Sequence, residues 1–458
     1  MTSRKLWQGA CFAATATMAA LGTAAAQAPA PAAQPAAPAA TTTAPAPAAA
    51  PAAADAPPPG YWIDGIHLSG QLDAGVIFNP FRPSTGLNWG QAFTDHANQA
   101  QLNQLLLTAA KPLDPKNPDF QWGFKVQFMY GSDARFTQYL GEFNNALPGD
   151  RYQFDLVEAN VQFHVPFPTS GGMDIKAGQY ATPLGFETID PSTNPFYSHS
   201  YIFQYGLPYE HTGLLTTSHL TPMFDLYAGL DTGTNTTFGP LGENNSAIGG
   251  IGGFGLNLYD GNLTVLALSH LGPEQSSRLL SPIGFNADGT WRAFNDLVVT
   301  YKYSDALTLT TELNWARDSY GFDNKPVNAF GAAQYAAYTL TDTLTLNGRL
   351  EVWRDDSNFF VAAYSGNNDP VRSEQGLAPI SNVYTAPGGG GTTYGALTLG
   401  VTYKPALPFV TGLLVRPEVR WDHAFTTNDP FNQNYQAAPG NKGGANSFTF
   451  GSDIVVTF

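Results

Sequence analysis

Phe120-Gln121-Trp122-Gly123-Phe124-Lys125-Val126-Gln127-Phe128-Met129-Tyr130 decides the fold. Every even-numbered position is aromatic or aliphatic, while the odd positions carry Gln121, Gly123, Lys125, Gln127 and Met129. Successive side chains of a β-strand point to opposite faces, so this segment has one greasy face and one mainly polar face. The same alternation recurs at Ile66–Phe78, where Ile66, Leu68, Leu72, Val76 and Phe78 share one parity and His67, Ser69, Gln71 and Asp73 the other. Further clear segments are 157–165, 307–315, 344–352, 397–403 and 413–421. Fainter ones are 102–110, 173–180, 211–218, 224–230, 248–259, 263–270, 297–303 and 328–338, and 448–458 closes the chain. That is roughly sixteen strands, an even number, each long enough to cross the ~25 Å apolar band of an outer membrane at a tilt.

The connections give an independent indication. Short ones (219–222, 260–262, 304–306, 339–341) alternate with long ones (79–101, 131–150, 182–210, 272–291, 355–390, 422–446). A transmembrane barrel with short periplasmic turns and long outer loops requires this rhythm, and a β-sandwich does not. The expected fold is therefore all-β, a transmembrane antiparallel up-and-down barrel over residues 60–458.

Composition agrees. Charged residues are 12% of the chain, about half the usual share. After the first residues no apolar run reaches the ~18 residues of a membrane helix. The formal charge of −15 argues against nucleic acid as a partner. Residues 1–26 read as an export signal: Arg4 and Lys5, an apolar Ala-rich stretch, then Ala24-Ala25-Ala26 as the cleavage site. Cys11, the one cysteine, falls inside that signal and is poorly placed for lipidation behind Gln8, so no disulfide or Cys-bound metal is expected. Residues 27–59 are almost wholly Ala, Pro and Thr and read as a disordered linker. Localisation in the outer membrane, after passage through the periplasm, follows from the signal and the barrel together.

At the far end Phe448, Phe450, Ile454, Val456 and Phe458 share a parity, and Phe458 is the final residue. This resembles the signal read by outer-membrane assembly machinery, which is therefore an expected partner, together with membrane lipid and lipopolysaccharide.

Several stretches resemble the OmpL-like β-barrel porin family: Ile63–Gly70, Tyr130–Phe136, Gly178–Glu187, Asn194, Tyr197–Ser200, Pro208–Gly213 and Arg416–Asp422. The likeness runs from about residue 60 to the end. It implies a porin-like barrel without specifying a solute. Parity assigns Lys125, Glu158, Lys176, Asp296, Lys302, Glu312, Arg349, Glu351, Arg416, Glu418, Arg420 and Asp422 to the interior, because a Lys or Arg facing lipid near midplane costs about 2–4 kcal/mol. Lys125, Lys302, Glu312, Arg349, Glu351, Arg416, Glu418 and Arg420 are the candidate pore-lining residues; cross-strand pairing among them is the other reading. Thr182–Glu210 is too aromatic for a free loop and is the candidate constriction, with Glu187, Asp190, Tyr197, Tyr201 and Tyr205 as its functional residues; an aromatic cap above the barrel or at a subunit contact is the other reading.

Other motifs carry little. Gly250–Gly255 matches a dinucleotide fingerprint inside a strand pattern and opens no helix. Asn286-Ala287-Asp288-Gly289 lacks the outer acids of a calcium loop. His164, His199, His211, His219 and His270 show no metal-ligand spacing. No catalytic residue, metal or cofactor is expected. The function expected is a water-filled channel for passive diffusion of small hydrophilic solutes or ions. A surface-interaction barrel with a plugged lumen, or less favourably an outer-membrane hydrolase, are the alternatives. A homotrimer is expected by analogy with other sixteen-stranded pores.

Overall fold

The computed structural model describes residues 61–458 apart from 64, 144, 145, 148, 240, 241, 322, 323, 365–370, 372–374, 378–382, 388, 389, 409 and 433–442. The export signal and the Ala/Pro linker lie outside the described residues.

The strands are β1 (Ile66–Phe78), β2 (Ala100–Lys111), β3 (Gln121–Gly131), β4 (Gln153–Val165), β5 (Met173–Ala181), β6 (Glu210–Thr221), β7 (Phe224–Thr234) and β8 (Gly249–Leu258). They continue as β9 (Leu263–Pro273), β10 (Trp291–Lys302), β11 (Leu307–Asp318), β12 (Val327–Thr341), β13 (Leu344–Asp355) and β14 (Thr392–Tyr403). The fifteenth, β15, has two parts (Gly412–Val415 and Glu418–Ala424), and β16 is Asn446–Thr457. Each pairs antiparallel with the next, and β16 returns to β1 through pairs such as Leu72↔Val456, closing a sixteen-stranded barrel. Every connection is either longer than both its neighbours or shorter than both, the rhythm read from the sequence.

Three details depart from the strand reading. A stub, Tyr61–Ile63, folds back on the start of β1. Arg416-Pro417 splits β15, because proline supplies no ladder N–H. The 356–391 connection carries a small hairpin, Ala362–Tyr364 against Val383–Thr385.

The outer wall is apolar: Leu107, Trp122, Val126, Val161, Leu313, Leu350, Leu399 and Ile454 are all exposed. Such a band is untenable in water and matches a lipid-facing surface. Aromatic side chains crowd both strand ends, with Tyr301, Tyr303, Tyr338 and Tyr403 on the short-turn rim and Trp291, Trp315, Phe330 and Phe425 on the long-loop rim. Polar residues occupy the opposite parity.

Two of the bulges in the ladder move side chains that matter to the interior. Residues 156–157 both stand opposite Phe128, and the ladder slips beside Asn103. A bulge adds one residue and reverses the faces beyond it. Val157 and Leu106 therefore point inward and are buried, although strict alternation assigns Val157 to the lipid face.

The seam between β16 and β1 is held by Phe458. Its N–H donates to the Gly70 carbonyl (2.9 Å) and its carbonyl accepts from the Gly70 N–H (2.7 Å). The Phe458 ring covers Gly70 so closely that a Cβ there would lie 2.2 Å from the ring. Gly70→Val is expected to lower the yield of closed barrel severalfold, read as the heat-modifiable band on gels. Equal yields would show that the contact is dispensable for closure.

Candidate functional site

The connection 182–209 dives into the barrel. Two caps shape it: Asp190 Oδ1 accepts the Ser192 N–H (2.9 Å) to start a 3₁₀ turn at Pro191–Thr193, and Ser200 Oγ accepts the Phe203 N–H (3.0 Å) to start the short helix α1, Tyr201–Tyr205. Gln71 Nε2, on the inner face of β1, donates to Asp190 Oδ1 at 2.9 Å.

The wall that receives this segment is a charge ladder. Arg349 and Glu351 project inward from β13, and Glu418, Arg420 and Asp422 from β15. Arg349 and Arg420 both stand opposite Thr398, and Glu351 and Asp422 both stand opposite Ala396, on the intervening strand β14. The small residues of β14 let the flanking charges meet: Arg349 Nε lies 3.1 Å and Arg420 Nη2 3.5 Å from Glu351 Oε1, while Arg420 Nε donates to Asp422 at 2.9 Å. Cross-strand pairing thus exists, but it accounts for only part of the site.

The rest is bonding to the loop. Arg349 Nη1 donates to Glu187 Oε1 and to the Ser198 carbonyl, both at 2.8 Å. Glu351 accepts the Tyr201 N–H (2.7 Å), and Glu418 accepts those of Tyr197 (2.9 Å) and Ser198 (3.2 Å). Arg420 Nη1 donates to the His199 carbonyl (2.7 Å). Arg416 pairs with Asp453 on β16 and donates to the carbonyls of Pro191 (2.6 Å) and Asn194 (2.7 Å). Glu312 accepts the Phe186 N–H at 2.9 Å. Tyr197, Tyr201 and Tyr205 donate to Asn103 (2.9 Å), Asp422 (3.1 Å) and the Ala362 carbonyl (3.2 Å). Gly75, on the inner face of β1, makes room for Tyr197; a Cβ there would lie 2.5 Å from the ring.

Glu187 is the node. It accepts from Arg349, from His199 Nδ1 (2.8 Å), from the Ser200 N–H (3.1 Å) and from the Tyr335 hydroxyl (3.1 Å). Burial works to raise its pKa, but Arg349 and the His199 bond outweigh it and hold the carboxyl at about 2. Above it, residues 79–99 reach in as well. Phe93 packs tilted or edge-on, with ring centroids 5.0–5.4 Å from those of Phe136, His199, Phe203 and Tyr209, and Arg135 grips Asp95 with Nη2 at 3.1 Å from both carboxylate oxygens.

Glu312, Arg349, Glu351, Arg416, Glu418 and Arg420 therefore lie inside the barrel but behind the loop, each buried. Lys125 and Lys302 stand apart from them. Lys125 Nζ is 3.3 Å and Lys176 Nζ 4.0 Å from Glu158, and each lysine side chain is 31% exposed. Lys302 sits at the short-turn rim, 3.5 Å from Asp305. Asp453, buried on the polar parity of β16, belongs to the site and was legible from that parity, alongside Ser447 and Thr449. Asp95, Arg135 and Tyr335 were not marked by spacing. The Gly250–Gly255 motif lies within β8, and residues 286–289 form a 3₁₀ turn capped by Asn286, as the sequence implies.

Residues 65–458 match the family described as "Putative beta-barrel porin-2, OmpL-like". The chain belongs to the OmpL-like β-barrel porin family. It is an outer-membrane channel protein. Among solved structures it resembles an anion-selective porin from Comamonas acidovorans at 11% identity and TM-score 0.51, covering 86% of this chain and 99% of that one. It also resembles OmpF of Salmonella typhi, solved with daunomycin, at 12% identity and TM-score 0.50, covering 87% and 99%. At these identities the likeness is one of fold. No curated relative matches the sequence.

Proposed function

We propose that the porin passes small hydrophilic solutes or ions by diffusion, through a lumen narrowed by residues 182–209. The observation that carries this reading is the latch itself: the loop is tied to the inner wall by Arg349, Glu351, Arg416, Glu418 and Arg420. Charges behind the latch hold the loop, so ion preference is assigned to those that meet water, above all Lys125 and Lys176 on β3 and β5. Lys125→Glu with Lys176→Glu is expected to shift the reversal potential in a salt gradient toward cations. An unchanged potential would remove both lysines from the permeation path.

The packing of Phe93, Phe136, Phe203 and Tyr209 favours one other reading, a surface-binding barrel whose lumen is plugged. Planar-bilayer recording separates the two, since a plugged barrel gives no unitary steps. We further propose that the chain is not a hydrolase, that it assembles as a homotrimer, and that Phe458 is read by the assembly machinery. The apolar band supports membrane lipid and lipopolysaccharide as its surroundings. Chemical crosslinking in detergent, read as a three-copy band, tests the assembly.

A further inference from the structure

Sequence spacing scatters the histidines, yet the fold brings two of them together. His211 at the start of β6, Asp231 near the end of β7 and His270 near the end of β9 meet at the long-loop rim, with one ligand atom from each within 4.8 Å of the others. All three side chains are fully buried. They meet because β8, between β7 and β9, begins with Gly249. A Cβ there would lie 2.7 Å from Asp231 Oδ1 and 3.0 Å from His270 Nε2, so the missing side chain lets His270 reach over β8 to Asp231.

The polar atoms are incompletely matched. His270 Nε2 is 3.1 Å from Asp231 Oδ1, which also accepts the Gly233 N–H (2.9 Å), and His211 Nε2 is 3.2 Å from Thr182 Oγ1. Four buried atoms lack a hydrogen bond: His211 Nδ1, Asp231 Oδ2, His270 Nδ1 and Glu274 Oε1. His211 Nδ1 and Asp231 Oδ2 lie 3.3 Å apart, and His270 Nδ1 and Glu274 Oε1 3.9 Å apart. Each imidazole faces a carboxylate, but at 3.3 and 3.9 Å these two buried pairs fall short of well-formed hydrogen bonds, which is costly away from water.

We propose that His211, Asp231 and His270 bind a divalent first-row transition ion of the zinc type. Two imidazole nitrogens and a carboxylate are a borderline-soft N/O donor set that suits zinc, with bond lengths of about 2.0–2.2 Å. Donors at those lengths sit about 3.2–3.6 Å apart on a tetrahedron, so a set spread within 4.8 Å reaches that geometry by contracting about 1 Å. Glu274 stands beside His270 as an outer partner or fourth ligand, and two carboxylates then balance the +2 charge. The ion would brace the loops that start or end at Thr182, Thr234 and Glu274. It lies at the rim and uses none of the charged side chains that hold the middle of the 182–209 segment.

The full chain, refolded into detergent with EDTA and then dialysed against zinc, is expected to hold one zinc per barrel by elemental analysis. Cobalt in place of zinc should give the visible absorption of a low-coordinate N/O site. Removing a ligand, as in His211→Ala or His270→Ala, should weaken zinc affinity by more than the ~10–100-fold typical of losing an outer partner. Gly249→Ala, which fills the cradle and keeps all the ligands, should weaken it as well. His164→Ala with His219→Ala, a pair elsewhere in the barrel, should leave it unchanged. Wild-type barrel that takes up no zinc above an EDTA-treated control overturns the proposal, as does equal uptake by the folded His211→Ala and His270→Ala variants. The wild-type uptake needs no variant to fold.

Discussion

Glu187→Ala is expected to destabilise the folded barrel by about 3 kcal/mol, the low end for breaking a buried ion pair, because Arg349 keeps Glu351 at 3.1 Å. The partner is Arg349, whose side chain has no exposure and whose Nη1 lies 2.8 Å from Glu187. His199, the Ser200 N–H and the Tyr335 hydroxyl lose their acceptor in the same change. Because those groups fix the middle of the 182–209 segment, the loop should detach while the strands stay paired. Urea denaturation in detergent reads the stability, and bilayer recording should show larger or noisier unitary steps. A second substitution, Arg349→Met, should recover part of the loss by removing the half-paired charge, since an apolar replacement of a buried pair is often neutral and Glu351 keeps Arg420 at 3.5 Å. If Glu187→Ala leaves both stability and conductance unchanged, the latch does not hold the loop.

How much of this was legible follows from where each signal comes from. Strand existence rests on a two-residue period that the chain carries locally, so segments such as 120–130 and 344–352 could be read directly. The bulges could not, because a bulge is a property of two paired strands: nothing within 153–165 says that residues 156–157 together oppose Phe128. Arg349-x-Glu351 and Glu418-x-Arg420-x-Asp422 were legible as inward charges because each set shares a parity. Their burial was not, since it depends on a loop from the other side of the chain returning to cover them. The same holds for Asp95 and Arg135, which meet from two different connections, and for the His211–Asp231–His270 group, which exists only because Gly249 leaves a gap between neighbouring strands.

Acidification offers the other large effect. Glu187 ordinarily titrates near 4.5 and is held at about 2, burial being outweighed by Arg349 and His199. Asp95 ordinarily titrates near 3.8 and is also held at about 2, because Arg135 and His96 outweigh its burial. A carboxyl whose folded pKa is depressed adds stability above its unfolded value and loses it as pH falls through the folded one. The two therefore contribute about 3 and about 2 kcal/mol near neutral pH, lost between about pH 4.5 and 2. Asp133 acts in the opposite sense. Burial raises it to about 6, so ionising it opposes folding at neutral pH, and mild acid relieves that cost. Loop stability should peak between about pH 4 and 6, then fall steeply below 4. Single-channel records taken from pH 7 downward should show steady steps to about pH 3, then wider and less regular ones as both carboxyls protonate near pH 2 and loosen their hold on Arg349 and Arg135. Conductance that stays unchanged through pH 3 and pH 2 would mean that these two carboxylates do not hold the loops in place.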